Sequence, residues 1–117
     1  MKEETIAKLL RIFIGENDKH GNKALYEYLV EQLRKHHFAG VTVTRGIEGF
    51  GQKSFIHTVN ILDLSTDLPI IVEVVDTEER IDEFKRMIDD MEIEKEIGML
   101  ITEENVKIIR YRKTKAV

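Results

Sequence analysis

A glycine-rich stretch with two flanking cations, residues 40–53, has the clearest chemical potential in this chain. After a strand-like start it contains Gly46, Gly49 and Gly51. Glycine lets the backbone adopt positive φ and approach a ligand closely, and successive backbone N–H groups in such turns can hold an anion. Arg45 and Lys53 flank these glycines. The same pattern is typical of a flexible hairpin connection, so both interpretations stay open here.

A second cationic pair, Arg110 and Arg112, flanks Tyr111 near the C-terminus. Residues two apart on a strand share a face, so both guanidinium groups would project to the same side. Two parallel guanidinium forks suit phosphate oxygens. The alternative is an exposed strand face on which Lys107 is a third charge. Together with the glycine-rich stretch, the pair predicts an oligophosphate or nucleotide site.

Catalytic chemistry has little support in the sequence. The P-loop pattern Gly-x-x-x-x-Gly-Lys-Ser/Thr is absent. The four histidines lack the spacing that zinc sites use, and no Ser/His/Asp arrangement can be assigned. The paired acids, such as Asp89-Asp90, suit the solvated face of a helix. We therefore predict a protein that is not an enzyme, with no catalytic residue and no metal site.

The composition bounds the class of protein. The 117 residues, 42% hydrophobic and 34% charged, predict a single globular domain over residues 1–117. A net charge of −4 argues against nucleic-acid binding, and the lack of cysteine excludes disulfides. No apolar run reaches the roughly 18 residues of a membrane span, and the N-terminus is too polar for a signal peptide. We expect a cytoplasmic protein.

Hydrophobic patterning predicts the elements that must position these residues. The predicted strands are Ala7–Gly15, one from Gly40 to Thr44, Leu68–Asp76, Ile97–Thr102 and Val106–Tyr111. The predicted helices are Lys23–His37 and one with the apolar stripe Ile81, Phe84, Ile88 and Met91, capped by Asp76 and Glu79. A turn at residues 103–105 joins the last two strands. Residues 45–67 form a long loop, in which 54–65 is either an extended arm or a turn or two of helix, and 112–117 form a basic tail.

This order of elements predicts an α+β, ferredoxin-like βαββαβ sandwich with an extra C-terminal strand. The first and third strands are apolar on both sides. Two helices covering one face of the sheet would leave an apolar patch on the other face. A homo-oligomer that closes around the sheets would bury that patch.

The same segments resemble a known group of proteins. Residues 40–44 followed by 49–53 resemble the second strand and the start of the T-loop in PII nitrogen-regulatory signalling proteins. Residues 98–112 resemble their last strands, with the same Arg-x-Arg ending. A closer likeness, over nearly the whole chain, is to an uncharacterised PII-like family, a domain of unknown function. It lies in Ile14-Gly15-Glu16, Leu25-Tyr26-Glu27, residues 39–43, Arg45-Gly46-Ile47, residues 64–69 and Val75-Asp76.

The resemblance implies a PII-like homotrimer whose subunit clefts take an adenine nucleotide. Thr42 would lie near the base, the loop at 49–52 by the phosphates, and the two arginines on phosphate oxygens. Met99 stands where PII has a phosphate-binding lysine, which favours AMP or ADP over ATP. Mg²⁺ is compatible with such a site, and no tightly bound cofactor is expected. The full predicted set is Thr42, Arg45, Gly46, Gly49, Phe50, Gly51, Gln52, Lys53, Gly98, Arg110 and Arg112.

Three hypotheses follow for the function. The first is a trimeric, non-catalytic nucleotide sensor whose loop, residues 48–67, changes order to dock a protein partner. By analogy with PII, a membrane transporter or channel is a candidate partner. The second is a metal- or ion-handling protein like the CutA trimers, with Glu16, Asp18 and His20 as ligands. The third is a weak nucleotide hydrolase, for which Glu48 is the available base.

Overall fold

The computed structural model describes residues 4–50, 56–58, 67–91, 98–112 and 114. Its elements along the chain are β1 (Thr5–Gly15), β2 (Lys19–His20), β3 (Lys23–Ala24), α1 (Leu25–Lys35), β4 (Gly40–Arg45), β5 (Glu48–Phe50), β6 (Ile56–Thr58), β7 (Pro69–Asp76), α2 (Glu78–Asp90) and β8 (Leu100–Ile108).

The four long strands form one sheet in the order β4-β7-β1-β8, and every neighbouring pair is antiparallel. Helix α1 connects β1 to β4, and α2 connects β7 to β8. Each helix thus joins two parallel strands that have a third strand between them, which is the split βαβ arrangement. The predicted ferredoxin-like α+β fold is confirmed.

The core lies between the two helices and one face of the sheet. Exposure alternates strictly along β7, as expected for side chains that point to opposite faces in turn. The even-numbered positions of β1 and β7 meet the apolar stripes of both helices. The buried cluster is Leu10, Ile12, Ile14, Leu25, Leu29, Leu33, Ile70, Val72, Val74, Ile81, Phe84 and Ile88. Each such side chain stabilises the fold by about 1.5–3 kcal/mol.

The opposite face of the sheet, called the open face below, keeps partial exposure. Its apolar residues Leu9, Phe13, Ile71 and Val75 are half-buried. Near their centre lies Arg11, whose Nε donates to Glu73 at 2.8 Å and whose Nη1 donates to Glu104. These acids lie on the strands to either side of β1, so the arginine ties three strands together. The hydrogen bonds to both glutamates raise the pKa of Arg11 above its ordinary value.

The prediction of a turn at residues 103–105 is wrong, because these residues lie inside the continuous strand β8. Both glutamates in this run have a partner on the face of the sheet to which they point. Glu104 pairs with Arg11 on the open face, and Glu103 accepts from Lys85 at 2.6 Å on the helix side. Residues 109–112 follow β8 without regular structure, so the described chain has no separate extra C-terminal strand.

The predicted capping of α2 is also corrected. Thr77 is the N-cap, and its hydroxyl accepts from the backbone N–H of Arg80 at 3.3 Å. Asp76 ends β7 instead, and its buried carboxylate accepts from the N–H groups of Ala39 at 2.8 Å and Thr77 at 2.7 Å. Helix α1 is shorter than predicted, because Lys23 and the next residue pair with residues 19 and 20 in a small hairpin.

The long loop is closed at its base by tight backbone packing. The N–H of Gly46 donates to the carbonyl of Pro69 at 2.7 Å. A Cβ at Gly46 would lie 2.7 Å from the ring Cγ of Pro69. Since a proline ring cannot swing away, this position has no room for a side chain.

We expect Gly46→Ala to destabilise the protein by about 1–3 kcal/mol, since the new methyl group must displace the proline ring. Gly40→Ala is the matched control: nothing lies within 4 Å of its Cβ position, and its backbone needs no positive φ. It should change stability by at most about 0.5 kcal/mol. Urea unfolding of both variants measures the difference, and equal effects would contradict the packing argument.

Glu103 links β8 to α2 and gives stability a defined pH dependence. Hydrogen bonds from Lys85, and then from Lys8, lower the pKa of Glu103 below its ordinary value of 4.5. The contribution of Glu103 to the free energy of unfolding is therefore complete above pH 4.5 and is lost as the pH falls through the lowered pKa. Glu103→Gln should lower the free energy of unfolding by about 0.2–1 kcal/mol at pH 7. The difference should vanish at strongly acid pH, and a difference that persists there would contradict this account.

Candidate functional site

Three segments that are far apart in sequence meet at one end of the sheet, called the loop end below. Arg45, the last residue of β4, pairs with Glu16 through Nη2 and Oε2 at 2.7 Å. The N–H of Glu16 donates to the carbonyl of Leu68 at 2.8 Å. The carboxylate of Asp67 accepts from the N–H of Asn17 at 2.8 Å. The ends of β1 and β4 and the start of β7 are thereby fixed together.

A hairpin of β5 and β6 follows the loop end. Glu48 pairs with Thr58, Gly49 with His57 and Phe50 with Ile56. Gly49 and Phe50 thus lie in a strand, where the sequence predicted an open phosphate-binding loop. For segment 54–65 the sequence left an extended arm and a short helix open. Its residues 56–58 form strand β6, which favours the extended arm for that part. The predicted site residues Gly51, Gln52 and Lys53 lie outside the described residues.

Gly46 does not supply a free anion-binding group. Its N–H already donates to Pro69, and its φ lies outside the left-handed region. The glycine is there because of close packing, whereas the sequence interpretation assigned it to an approaching ligand. Gly98 is exposed and lies two residues before β8. The first residue of β8 pairs with Phe13, so Gly98 lies near the loop end of the sheet.

Thr42 lies in the middle of β4, an edge strand of the sheet. It pairs with Glu73 and therefore shares the open face with that residue. Its side chain is exposed, and so is that of the neighbouring Val43. Among the described residues, no further strand pairs with the outer side of β4. Such an edge is suited to contact with a ligand or a second chain.

Arg110 and Arg112 lie at the opposite end of the sheet, called the tail end below. Tyr111 between them donates its phenolic O–H to the carbonyl of Ala39 at 2.8 Å. Both arginines are exposed. Within the described part of the chain, neither arginine has an ion pair. Two exposed guanidinium groups are thus held beside the residue that precedes β4.

One chain therefore does not bring all the predicted site residues together. From Gly40 to Arg45, β4 spans about 17 Å at the usual rise per residue. Arg45 and the hairpin lie at one end of this strand, and the arginine pair lies at the other. Thr42 lies between them. A site that uses both ends needs a second copy of the chain.

The metal ligands of the CutA-like hypothesis are not brought together either. Glu16 is held by Arg45, and Asp18 accepts from the N–H of Gly15 at 2.8 Å. The ring of His20 stacks on Tyr28 with the centroids 4.0 Å apart. Among the residues that the structure describes, no group of three or more histidines and acids could hold a metal ion. Glu48, the base of the hydrolase hypothesis, lies in β5.

Sequence reasoning missed the residues that hold the start of β4. Arg80 donates to the carbonyl of His36 and stacks over the ring of Phe38, with its Cζ 4.3 Å from the centroid. Asp76 holds the N–H of Ala39, and Tyr111 binds the carbonyl of the same residue. The sequence signals are the Val-Asp motif at the end of β7 and the aromatic residue between two arginines.

No helix in the described ranges is both long enough and apolar enough to span a membrane. An open groove of about 700 Å³ does occur on the outer side of α1. Its charges are mixed, since Lys23 there pairs with Glu31 at 2.8 Å. None of the predicted nucleotide-binding residues lines this groove.

Comparisons with known proteins agree with this architecture. A UPF0166 protein of Aquifex aeolicus is 38% identical over 102 residues, which cover 87% of this chain and 92% of that protein. A UPF0166 protein of Methanocaldococcus jannaschii is 37% identical over 75 residues, 64% of this chain and 68% of that one.

Solved structures share the fold at low sequence identity. CPII of Thiomonas intermedia, bound to ADP and bicarbonate, has a TM-score of 0.68 at 14% identity and covers 94% of this chain and 95% of its own. A PII-like signaling protein of Thermus thermophilus has a TM-score of 0.66 at 19% identity, covering 92% and 93%. These likenesses establish a PII-like fold.

The family model described as "Uncharacterized ACR, COG1993" (DUF190) matches residues 7–108, which is most of the chain. This match and the 38% identical relative agree with the resemblance drawn from the sequence motifs. The chain belongs to the uncharacterised DUF190 (UPF0166) family, and its fold is PII-like.

Proposed function

We propose that this protein is a PII-like regulatory protein that binds an adenine nucleotide, ADP or AMP in preference to ATP, and catalyses no reaction. The observation that carries the proposal is the exposed pair Arg110 and Arg112, which has no ion-pair partner among the described residues. Charge-assisted hydrogen bonds from guanidinium to phosphate are among the stronger polar contacts in proteins. CPII, which shares the fold, has been solved with ADP and with both ADP and AMP.

The nucleotide sites lie at clefts between the subunits of a homotrimer. The open face supports assembly, since half-buried Leu9, Phe13, Ile71 and Val75 surround the Arg11 cluster there. Apolar area of this kind is commonly buried against a partner. In such a trimer the tail end of one subunit meets the loop end or the β4 edge of its neighbour. The predicted residues that one chain keeps apart then form one site.

The hairpin of β5 and β6 couples the ligand to a partner protein. At its base, Arg45 pairs with Glu16, and both side chains are partly exposed. Exposed ion pairs of this kind are worth only about 0.2–1 kcal/mol. A phosphate group can therefore replace Glu16 as the ion-pair partner of Arg45 and so change the order of the loop that follows. Ligand-controlled loop order is an established means of switching, and a membrane transporter or channel is one candidate partner by analogy with PII.

We expect calorimetric titration to show binding of ADP or AMP at one site per subunit. The double variant Arg110→Ala, Arg112→Ala should lose at least about 100-fold in affinity, since a hydrogen bond to a charged group is worth about 1.5–3 kcal/mol. Its oligomeric state should not change, because neither side chain packs in the core.

The matched control is Arg34→Ala, Arg86→Ala, which removes two exposed arginines from the helices and leaves the same net charge. It should bind like the wild type. Unchanged affinity in the Arg110, Arg112 variant would show that these arginines do not bind the phosphates. No binding of any adenine nucleotide by the wild type would overturn the proposed function.

A further inference from the structure

The segment after β8 has to cross the whole sheet. β8 and β4 are its two edge strands, with β1 and β7 between them. Three strand spacings amount to about 14 Å. The three residues from Ile108 to Tyr111 can span at most about 11 Å. The side chain of Tyr111 covers the remaining distance, and its phenol reaches the carbonyl of Ala39.

The hydrogen bond to Ala39 holds the residue that lies between the two arginines. Arg110 and Arg112 are both exposed. Since each is bonded directly to Tyr111 in the chain, one hydrogen bond limits where both cations can lie.

The acceptor of that hydrogen bond is held rigidly. The N–H of Ala39 donates to Asp76 at 2.8 Å, and the carboxylate of Asp76 also binds the first turn of α2 through Thr77. Asp76 itself is only 8% exposed. Arg80 of α2 also donates to the carbonyl of His36, which lies three residues before Ala39. The carbonyl of Ala39 is therefore a fixed point at the corner between α1 and β4.

We infer that Tyr111 is a positioning residue, whose hydrogen bond to Ala39 orders the tail and presents Arg110 and Arg112 together to the phosphates. The inference rests on the proposed function. A segment with few buried contacts opens locally unless other contacts hold it. Without the phenolic hydroxyl, both arginines would have to be ordered when the ligand binds, and that cost reduces affinity. Tyr111 acts through the arginines and needs no contact with the nucleotide.

The test is Tyr111→Phe, which keeps the ring and removes the hydroxyl. We expect its affinity for ADP to fall by about three- to ten-fold, the worth of one exposed hydrogen bond. Its affinity for adenosine should not change, because adenosine has no phosphate for the arginines to hold. Trypsin should also cleave the variant faster after Arg110 and Arg112, as followed by mass spectrometry of the released peptides.

Tyr28→Phe is the control, since it removes another phenolic hydroxyl but leaves the ring that stacks on His20. It should match the wild type in all three measurements. Wild-type ADP affinity in Tyr111→Phe, or an equal loss for adenosine and ADP, would overturn the positioning role. Absence of ADP binding by the wild type would instead overturn the proposed function itself, and the positioning role with it. Unchanged trypsin cleavage would show that the hydrogen bond does not order the tail.

Discussion

The pairing of β1 with β7 is the interaction on which the rest of the structure depends. Its register runs from Lys8 opposite Asp76 to Gly15 opposite Pro69. A slip of one residue would send every side chain of one strand to the other face. It would turn the charged Arg11 of β1, or Glu73 of β7, toward the helices. The register is therefore specified by the burial of the core.

The same register sets both ends of the candidate site. At one end it places Pro69 beside Gly15, where Gly46 and Glu16 also bind the start of β7. At the other end it places Asp76 where it can hold Ala39, the acceptor of Tyr111. The loop end thus carries the hairpin, and the tail end carries the arginine pair. Since the ends are separated by the length of a strand, a shared ligand site requires assembly.

The sequence predicted the parts of the fold that depend on periodicity and failed where a tertiary partner decided the outcome. The strand at 68–76 and the stripe of Ile81, Phe84 and Ile88 were predicted because burial imposes a regular period on apolar residues. The polar run at 103–105 looked like a turn, because the partners that satisfy it as a strand lie on β1 and α2. Arg110 and Arg112 stood out as a pair, but nothing local showed that the residue between them reaches across the sheet.

The measurement that tests the central claim most directly is a crystal structure of the protein with ADP. The account predicts a trimer closed around the open faces, with the phosphates on Arg110 and Arg112 of one subunit and on the loop end or β4 edge of its neighbour. ADP bound within a single subunit, away from these arginines, would contradict it. So would a well-ordered monomer, because the two ends of the sheet could then never meet.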